Sequence, residues 1–218
     1  LKEIFGGVYH ADGAIATKSL APGKKVYNER LVKTREGEFR IWNPYRSKLC
    51  AALKNGLKTF PFKKGSKILY LGASTGTTVS HVSDILGKSG EIYAVEIAPR
   101  AMKSLLKVAE DRENIIPIHG DARKPQDYED VGKVEIIYQD VAQPDQDEIL
   151  LKNARMFLRK GGIAMIAIKS QSIDVTLEPK RVFEKVVAYL EKHFNVLEKI
   201  RLEPYDKDHL FVVLEFKG

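Results

Sequence analysis

Five positions in this chain set a small or charged residue just after a short apolar run: Gly72, Glu96, Asp121, Asp140 and Lys169. Carboxylates and an amine at such points can hold hydroxyls, order a cation and move a proton. Around the first of them, KILYLGASTGTTVSHV (67–82) reads as a buried strand, Ile68–Leu71, and a turn bracketed by Gly72 and Gly76. A helix then opens at Thr77, with Val79, Val82, Ile85 and Leu86 at helical spacing. Such a turn aims unpaired backbone N–H groups and the positive end of a helix dipole at a ligand. The next strand ends in Tyr93-Ala94-Val95-Glu96, which sets a carboxylate beside the turn, where it can accept from both hydroxyls of a ribose. A nucleoside site is the expectation.

Other readings of the turn compete. Gly72-Ala73-Ser74-Thr75-Gly76 matches a nucleophile elbow, with Ser74 attacking and His209 as a distant base, but a hydrolase leaves Glu96 unexplained. A dinucleotide enzyme would want a third glycine for close approach to a pyrophosphate. An ordinary βα turn with no ligand is the plainest alternative. S-adenosylmethionine carries no phosphate, so a turn less rich in glycine suffices, and it is the preferred ligand.

Asp121 either caps the turn that follows it or, beside Ala122, contacts an adenine amino group. Asp140 and Lys169 fall on strands expected to be neighbours, so they could form an ion pair at the mouth of the site. A hydroxyl attacking the methyl group of a sulfonium must lose its proton and be aligned with the carbon–sulfur bond. Lys169, desolvated among neighbouring cations, could accept that proton or hold the developing alkoxide as an ammonium. Asp140 would orient Lys169. Lys48 stands in the first turn of an expected helix, where the dipole disfavours a cation, and this oddity hints at a second functional charge.

The elements that must position these groups follow from turns and periodicity. Residues 1–46 read as a small antiparallel lobe of short strands, Ile4–His10, Ala14–Thr17, Lys25–Arg30 and Phe39–Trp42, with Gly-containing turns between them. Tyr27 and Trp42 could be this lobe's core or part of a protein interface. Residues 47–218 form the second expected domain. Ser47 caps a helix over Lys48–Leu57, and strands then alternate with helices, the pattern of a parallel sheet. The predicted strands are Ile68–Leu71, Glu91–Glu96, Asn114–His119, Val134–Gln139, Ile163–Ile168, Asn195–Leu202 and Leu210–Phe216. The predicted helices are Thr77–Leu86, Arg100–Asp111, Pro144–Leu158 and Pro179–His193. The last two strands are joined by a short loop, so the final one is expected to run against the rest. The fold class is α/β, Rossmann-like, with seven strands.

Composition bounds the rest. With 218 residues, 44% hydrophobic and 30% charged, the chain suits one soluble α/β domain and a small appendage. No apolar run approaches the roughly 20 residues of a membrane span, and nothing resembles a cleavable signal peptide. A lone Cys50 makes no internal disulfide, and without a Cys/His cluster a structural zinc or other metal site is not expected. A cytoplasmic location fits. Of the net charge of +7, residues 1–67 hold 15 Lys+Arg against 5 Asp+Glu, so the basic excess is confined to the N-terminal third. That excess is either a footprint for a polyanion or a solvated lysine-rich face of a thermophile protein.

Seven ordered blocks carry a family resemblance: NPYRSKL (43–49), YLGASTGTTVSHV (70–82), YAVEIAPRAM (93–102), HGDARKP (119–125), QDVAQPDQ (139–146), IKSQSID (168–174) and EPYDKDH (203–209). Together they resemble fibrillarin over nearly the whole chain, and the lack of a Gly/Arg-rich tail matches its archaeal form. The resemblance implies an S-adenosylmethionine-dependent methyltransferase acting on ribose 2′-hydroxyls of rRNA, and of tRNA as a further substrate, directed by a box C/D guide RNA. It implies as partners a coiled-coil scaffold protein and a kink-turn-binding ribosomal-type protein. Carried over by motif, Thr77, Thr78, Glu96, Ile97, Asp121, Ala122, Asp140 and Gln143 would bind the cofactor, with Gly72, Ala73, Gly76, Val141 and Ala142 beside them. Lys48, Asp140 and Lys169 match three places of the catalytic tetrad of related ribose methyltransferases. The fourth falls to His209, with Glu203 in reserve. A non-catalytic RNA- or protein-binding subunit, and a methyltransferase for proteins or small molecules, are the competing classes.

Overall fold

Glycine turns divide the first 42 residues into five short strands. The structure, a computed structural model, describes residues 1–218. Strands β1 (Lys2–Phe5), β2 (Val8–Ala11), β3 (Ala14–Lys18), β4 (Leu31–Thr34) and β5 (Gly37–Trp42) form an antiparallel sheet in the order β1-β2-β3-β5-β4. Two expectations are corrected here. Ile4–His10 is not one strand but a hairpin folded at Gly6-Gly7, with Gly7 in the left-handed region. Lys25–Arg30 is not a strand. The Glu29 carboxylate accepts from the amides of Val26 (3.1 Å) and Tyr27 (2.9 Å), and Asn28 has a φ of 64°. A side chain has taken the donors that a ladder would need, so pairing begins at Leu31 instead.

Ser47 accepts from Cys50 N and caps α1 (Lys48–Lys54), which stops earlier than expected because Asn55 caps it and Gly56 turns the chain away. The main sheet follows. It comprises β6 (Lys67–Leu71), β7 (Glu91–Glu96), β8 (Ile115–His119), β9 (Val134–Gln139), β10 (Leu158–Lys169), β11 (Phe194–Arg201) and β12 (His209–Phe216), in the order β11-β12-β10-β9-β6-β7-β8. β12 is antiparallel to both of its neighbours, as expected, and the pairs from β10 to β8 are parallel. β10 starts at Leu158, before the expected Ile163, across a register shift.

Both faces are covered, which explains the uninterrupted apolar runs. Ile68 and Tyr70 face α1, α2 (Thr77–Leu86) and α3 (Pro99–Glu110), whereas Leu69 and Leu71 face α4 (Gln146–Phe157) and α6 (Pro179–Leu190). A single-turn helix, α5 (Ser170–Ile173), and a 3-10 segment, Pro125–Val131, were not anticipated. Chain order reverses between β6 and β9, which opens a crevice at their carboxyl ends.

The small sheet shares the first of these cores: Val8, Ile15 and Trp42 belong to the same buried cluster as Ile68 and Val79. Trp42 is only 1% exposed and stacks on His81 of α2 at 4.7 Å, so it is core and not an interface residue. A buried polar network backs this junction. Arg40 donates to Glu29 and to Asp84 of α2, and Asp84 also accepts from Thr17 and from Leu20 N. His81 lies between Thr17 and Tyr27, at 2.8 Å from each hydroxyl, and burial together with Arg40 and Arg112 holds its pKa well below the usual imidazole value.

Candidate active site

The turn after β6 works because its backbone comes very close to the end of β9. Gly72 has a φ of 82°, and a Cβ there would overlap the Asp140 carbonyl oxygen, so only glycine fits. The amides of Gly72 and Ala73 both donate to Val95 O at 3.0 Å. Ser74, also in the left-handed region, points its amide at Glu96 Oε2 (2.7 Å), and Ala98 N donates to Glu96 Oε1 (2.7 Å). Glu96 is thus buried and fixed by two backbone donors, with lone pairs remaining on each oxygen. Gly76, also left-handed, is the N-cap of α2. No side chain caps this helix, so the amides of its first turn lack side-chain partners.

Two cavities meet at Gly72, Ser74 and Asp140, which line both. One, of 270 Å³, is bounded by Glu96, Ile97, Asp121, Ala122, Val141, Ala142, Gln143 and Ile149. The other, of 280 Å³, is bounded by Ser47, Lys48, Ala73, Thr77, Thr78 and Asp206, with Tyr70 beneath and Tyr45 and Arg46 at its outer edge. Every expected cofactor residue except Gly76 therefore lines one half or the other. Asp121 also performs the capping role: its Oδ1 accepts from Arg123 N at 2.9 Å. The Arg123 guanidinium in turn donates to Asp145 and to Gln143 Oε1.

The charged groups pair differently from the expectation. Asp140 does not meet Lys169. Its Oδ2 accepts from Lys48 Nζ at 2.9 Å, with the two side chains 22% and 25% exposed. Register explains this. Gln139 pairs with Ile166, so Lys169 stands two residues further along β10 than Asp140 does along β9, about 7 Å farther out. The Lys169 side chain makes no hydrogen bond or ion pair, whereas its amide is held by Gln146 Oε1 at 3.0 Å. Gln146, fully buried, also donates to Gln143 O, and so ties the ends of β9 and β10 together.

The fourth expected position lies one step back from the cavity. His209 pairs with Lys169 across β10 and β12, but it is buried behind the cavity and lines neither half. Its Nδ1 donates to Lys207 O (2.7 Å) and lies 2.9 Å from Asp206 Oδ1. It does not reach Ser74, so the nucleophile-elbow reading has no base. Glu203 turns away to Arg201, which holds its carboxyl below the usual range. The acidic group that does enter the cavity is Asp206, 3.9 Å from Lys48 Nζ, a residue the sequence reading passed over although it lies inside the EPYDKDH block. Asn55, at the end of α1, donates to the carbonyls of Arg201 and Glu203 and pins this loop. One helix therefore places Lys48 with its first turn and secures Asp206 with its last.

Burial pulls the Lys48 ammonium toward its neutral form, but the charge and hydrogen bond of Asp140, with Asp206, outweigh it and leave the pKa raised. Burial likewise pushes Asp206 up, and His209, Lys48 and Lys169 together bring it below the ordinary value. The half-buried cluster therefore carries a protonated Lys48 between two carboxylates at neutral pH.

Known proteins match over nearly the whole chain. The Fibrillarin family model matches residues 1–218. The fibrillarin-like rRNA/tRNA 2′-O-methyltransferase of Pyrococcus furiosus is 55% identical over 97% of this chain and 96% of its own length. Aeropyrum pernix fibrillarin, solved with natively bound S-adenosyl-L-methionine, superposes with a TM-score of 0.86 at 49% identity, covering 92% of this chain and 88% of that one. The fibrillarin of a fibrillarin/Nop5p complex superposes with a TM-score of 0.90 at 41% identity, covering 99% of this chain and 100% of that one. With a full-length family match and relatives above half identity, this chain belongs to the fibrillarin family.

Proposed function

We propose that this chain is an S-adenosylmethionine-dependent methyltransferase that modifies ribose 2′-hydroxyls of rRNA and tRNA, directed by a box C/D guide RNA. The observation that carries the reading is the meeting of two chemically different half-sites at Gly72, Ser74 and Asp140. The half holding Glu96 suits an adenosine. Its carboxylate keeps lone pairs for two ribose hydroxyls, Ile97, Val141 and Ile149 supply apolar walls for a base, and Asp121 supplies a polar contact. The other half suits an amino-acid tail, because the uncapped N-terminus of α2 favours a carboxylate.

When bound, the donor supplies a methyl carbon made electrophilic by its sulfonium. The chain's own task is to align a ribose hydroxyl and manage its proton. Lys48, kept protonated by Asp140 and Asp206, is a fixed positive charge for the oxygen as it becomes anionic. Lys169, which has no side-chain hydrogen-bond partner, either takes the hydroxyl proton as a free amine or, as an ammonium, holds the forming alkoxide. Asp140 orients Lys48 at the junction of the two halves. His209 acts one step back, holding Asp206. Alignment of the hydroxyl between these groups supplies much of the rate.

The relative seen with Nop5p suggests a scaffold partner of the coiled-coil type for this chain too. A kink-turn-binding ribosomal-type protein and the guide RNA complete the particle. No helix is long and apolar enough to cross a membrane, and the proposed site of action is the archaeal cytoplasm. The test reconstitutes the chain with guide RNA, both proteins and labelled methyl donor, then maps modified nucleotides. Label at the guided ribose is the expected result, and an assembled particle that leaves it unmodified rejects the reading.

A further inference from the structure

A third cavity, of 520 Å³, runs along the small sheet and opens beside the active site. It is joined to the half of the site that holds Lys48 and Asp206 by two residues that line both, Tyr45 and Arg46. Local structure fixes this lip. Asn43 Oδ1 accepts from Tyr45 N at 2.9 Å and Asn43 O from Arg46 N at 3.1 Å, so Asn43-Pro44-Tyr45-Arg46 is a tight turn just ahead of α1. Tyr45 is 66% exposed, and its ring is steadied edge-on against Tyr205 at 5.1 Å. An aromatic ring held out in water at the edge of a polar cleft offers a face on which a planar group can stack.

The charge of the groove has one sign. Arg46 at the near end and Arg30 further along it are exposed, and neither guanidinium makes an ion pair within the chain. The one acid bordering the groove, Glu29, is committed to Arg40 and to the amides of Val26 and Tyr27. The indole N–H of Trp42, which also borders the groove, is buried without a partner.

We propose that this groove holds the RNA strand that carries the target ribose: Tyr45 stacks on a base next to the reactive hydroxyl, and Arg46 and Arg30 bind the phosphates of the strand leading away from it. The inference rests on the ribose-methyltransferase reading and adds the path of the substrate to it. An aromatic platform followed by a basic track is the arrangement that binds a single strand without reading its sequence, which suits an enzyme whose target is chosen by a guide. The two features reach the active site through the same turn, so a strand in the groove delivers its ribose beside Lys48.

The test uses the full chain in the reconstituted guide-RNA particle, with target RNA carrying 4-thiouridine on either side of the target nucleotide. Crosslinks to peptides 27–30 and 41–46 are expected. In single-turnover methylation at saturating donor, Tyr45→Ala and Arg46→Ala should each raise the RNA concentration for half-maximal rate about tenfold, and Tyr45→Phe should recover most of the loss. Crosslinks confined to other surfaces, or unchanged RNA dependence in both alanine variants, overturn the groove. So does weaker binding of the scaffold protein with normal RNA dependence, which assigns the surface to a protein. Failure of the wild-type particle to methylate overturns the enzyme reading instead, because the crosslinks report the strand's path whether or not a methyl group moves.

Discussion

Arg40, between the two sheets, and Lys48, at the mouth of the active site, each hold two carboxylates, and they do so in opposite ways. The Arg40 fork is used up: it contacts Glu29 at 2.7 Å, Asp84 at 2.8 Å and Ser80 Oγ at 2.9 Å, with both ion pairs wholly buried. Lys48 has one short contact, to Asp140, and one loose one, to Asp206 at 3.9 Å, and all three side chains remain partly open to solvent. A planar guanidinium with its donors satisfied fixes one geometry, whereas an ammonium keeps donors to spare for an incoming group. The same charges are thus structural where water is excluded and several short contacts fix the guanidinium, and chemical where donors are left open to solvent.

The comparison can be broken at either end. The largest effect is expected from Arg40→Ala, which strands Glu29 and Asp84 in the interior: urea unfolding should show a loss of about 3–5 kcal/mol. An unchanged midpoint would mean that water reaches the network. At the other end, Lys169→Ala should lower turnover about a hundredfold or more while donor binding by calorimetry stays within a few-fold, because the side chain makes no hydrogen bond or ion pair with the rest of the chain. Intact turnover would remove Lys169 from proton transfer. Glu96→Ala should do the reverse, weakening donor binding by about 10- to 100-fold through lost charged hydrogen bonds, with a smaller effect on turnover at saturation.

The smallest effect concerns acid. The Asp206 carboxyl titrates below its ordinary value of 3.8, so its stabilisation is fully present above the unfolded pKa and is lost as pH falls through the lower folded one. Unfolding midpoints measured from pH 5 downward should therefore drop more steeply in the wild type than in Asp206→Asn. Identical acid limbs would show that the loop carrying Asp206 is not held by charge. Lys48 has the opposite sign: its raised pKa gives stabilisation that is present below the unfolded value and disappears only as the medium becomes strongly alkaline.

Much of the site could be read before the fold was known. Gly72, Glu96, Asp121 and Asp140 end parallel strands, and such strands announce themselves as apolar runs closed by a polar or small residue. Lys25–Arg30 misled because a local carboxylate, Glu29, outcompeted the ladder for two amides. Asp206 was missed because a loop residue has no period to betray which way it faces, and His209, three residues on, drew attention by its type. Arg40 looked like one more cation of a basic lobe. Its burial depends on Asp84, 44 residues away.

The succession of strands and helices along the chain and the glycine-bracketed turn after the first buried strand were legible in the chain alone, since each rests on a periodicity and on turn residues that neighbouring positions express together. Which charge meets which was decided by the assembled fold. Lys48 meets Asp140 because α1 packs on the face of the sheet that presents Ile68 and Tyr70, and Lys169 stands apart because β10 outruns β9 by two residues. Coulombic pairing depends on distances of a few ångströms between segments far apart in the chain, and only packing sets those distances.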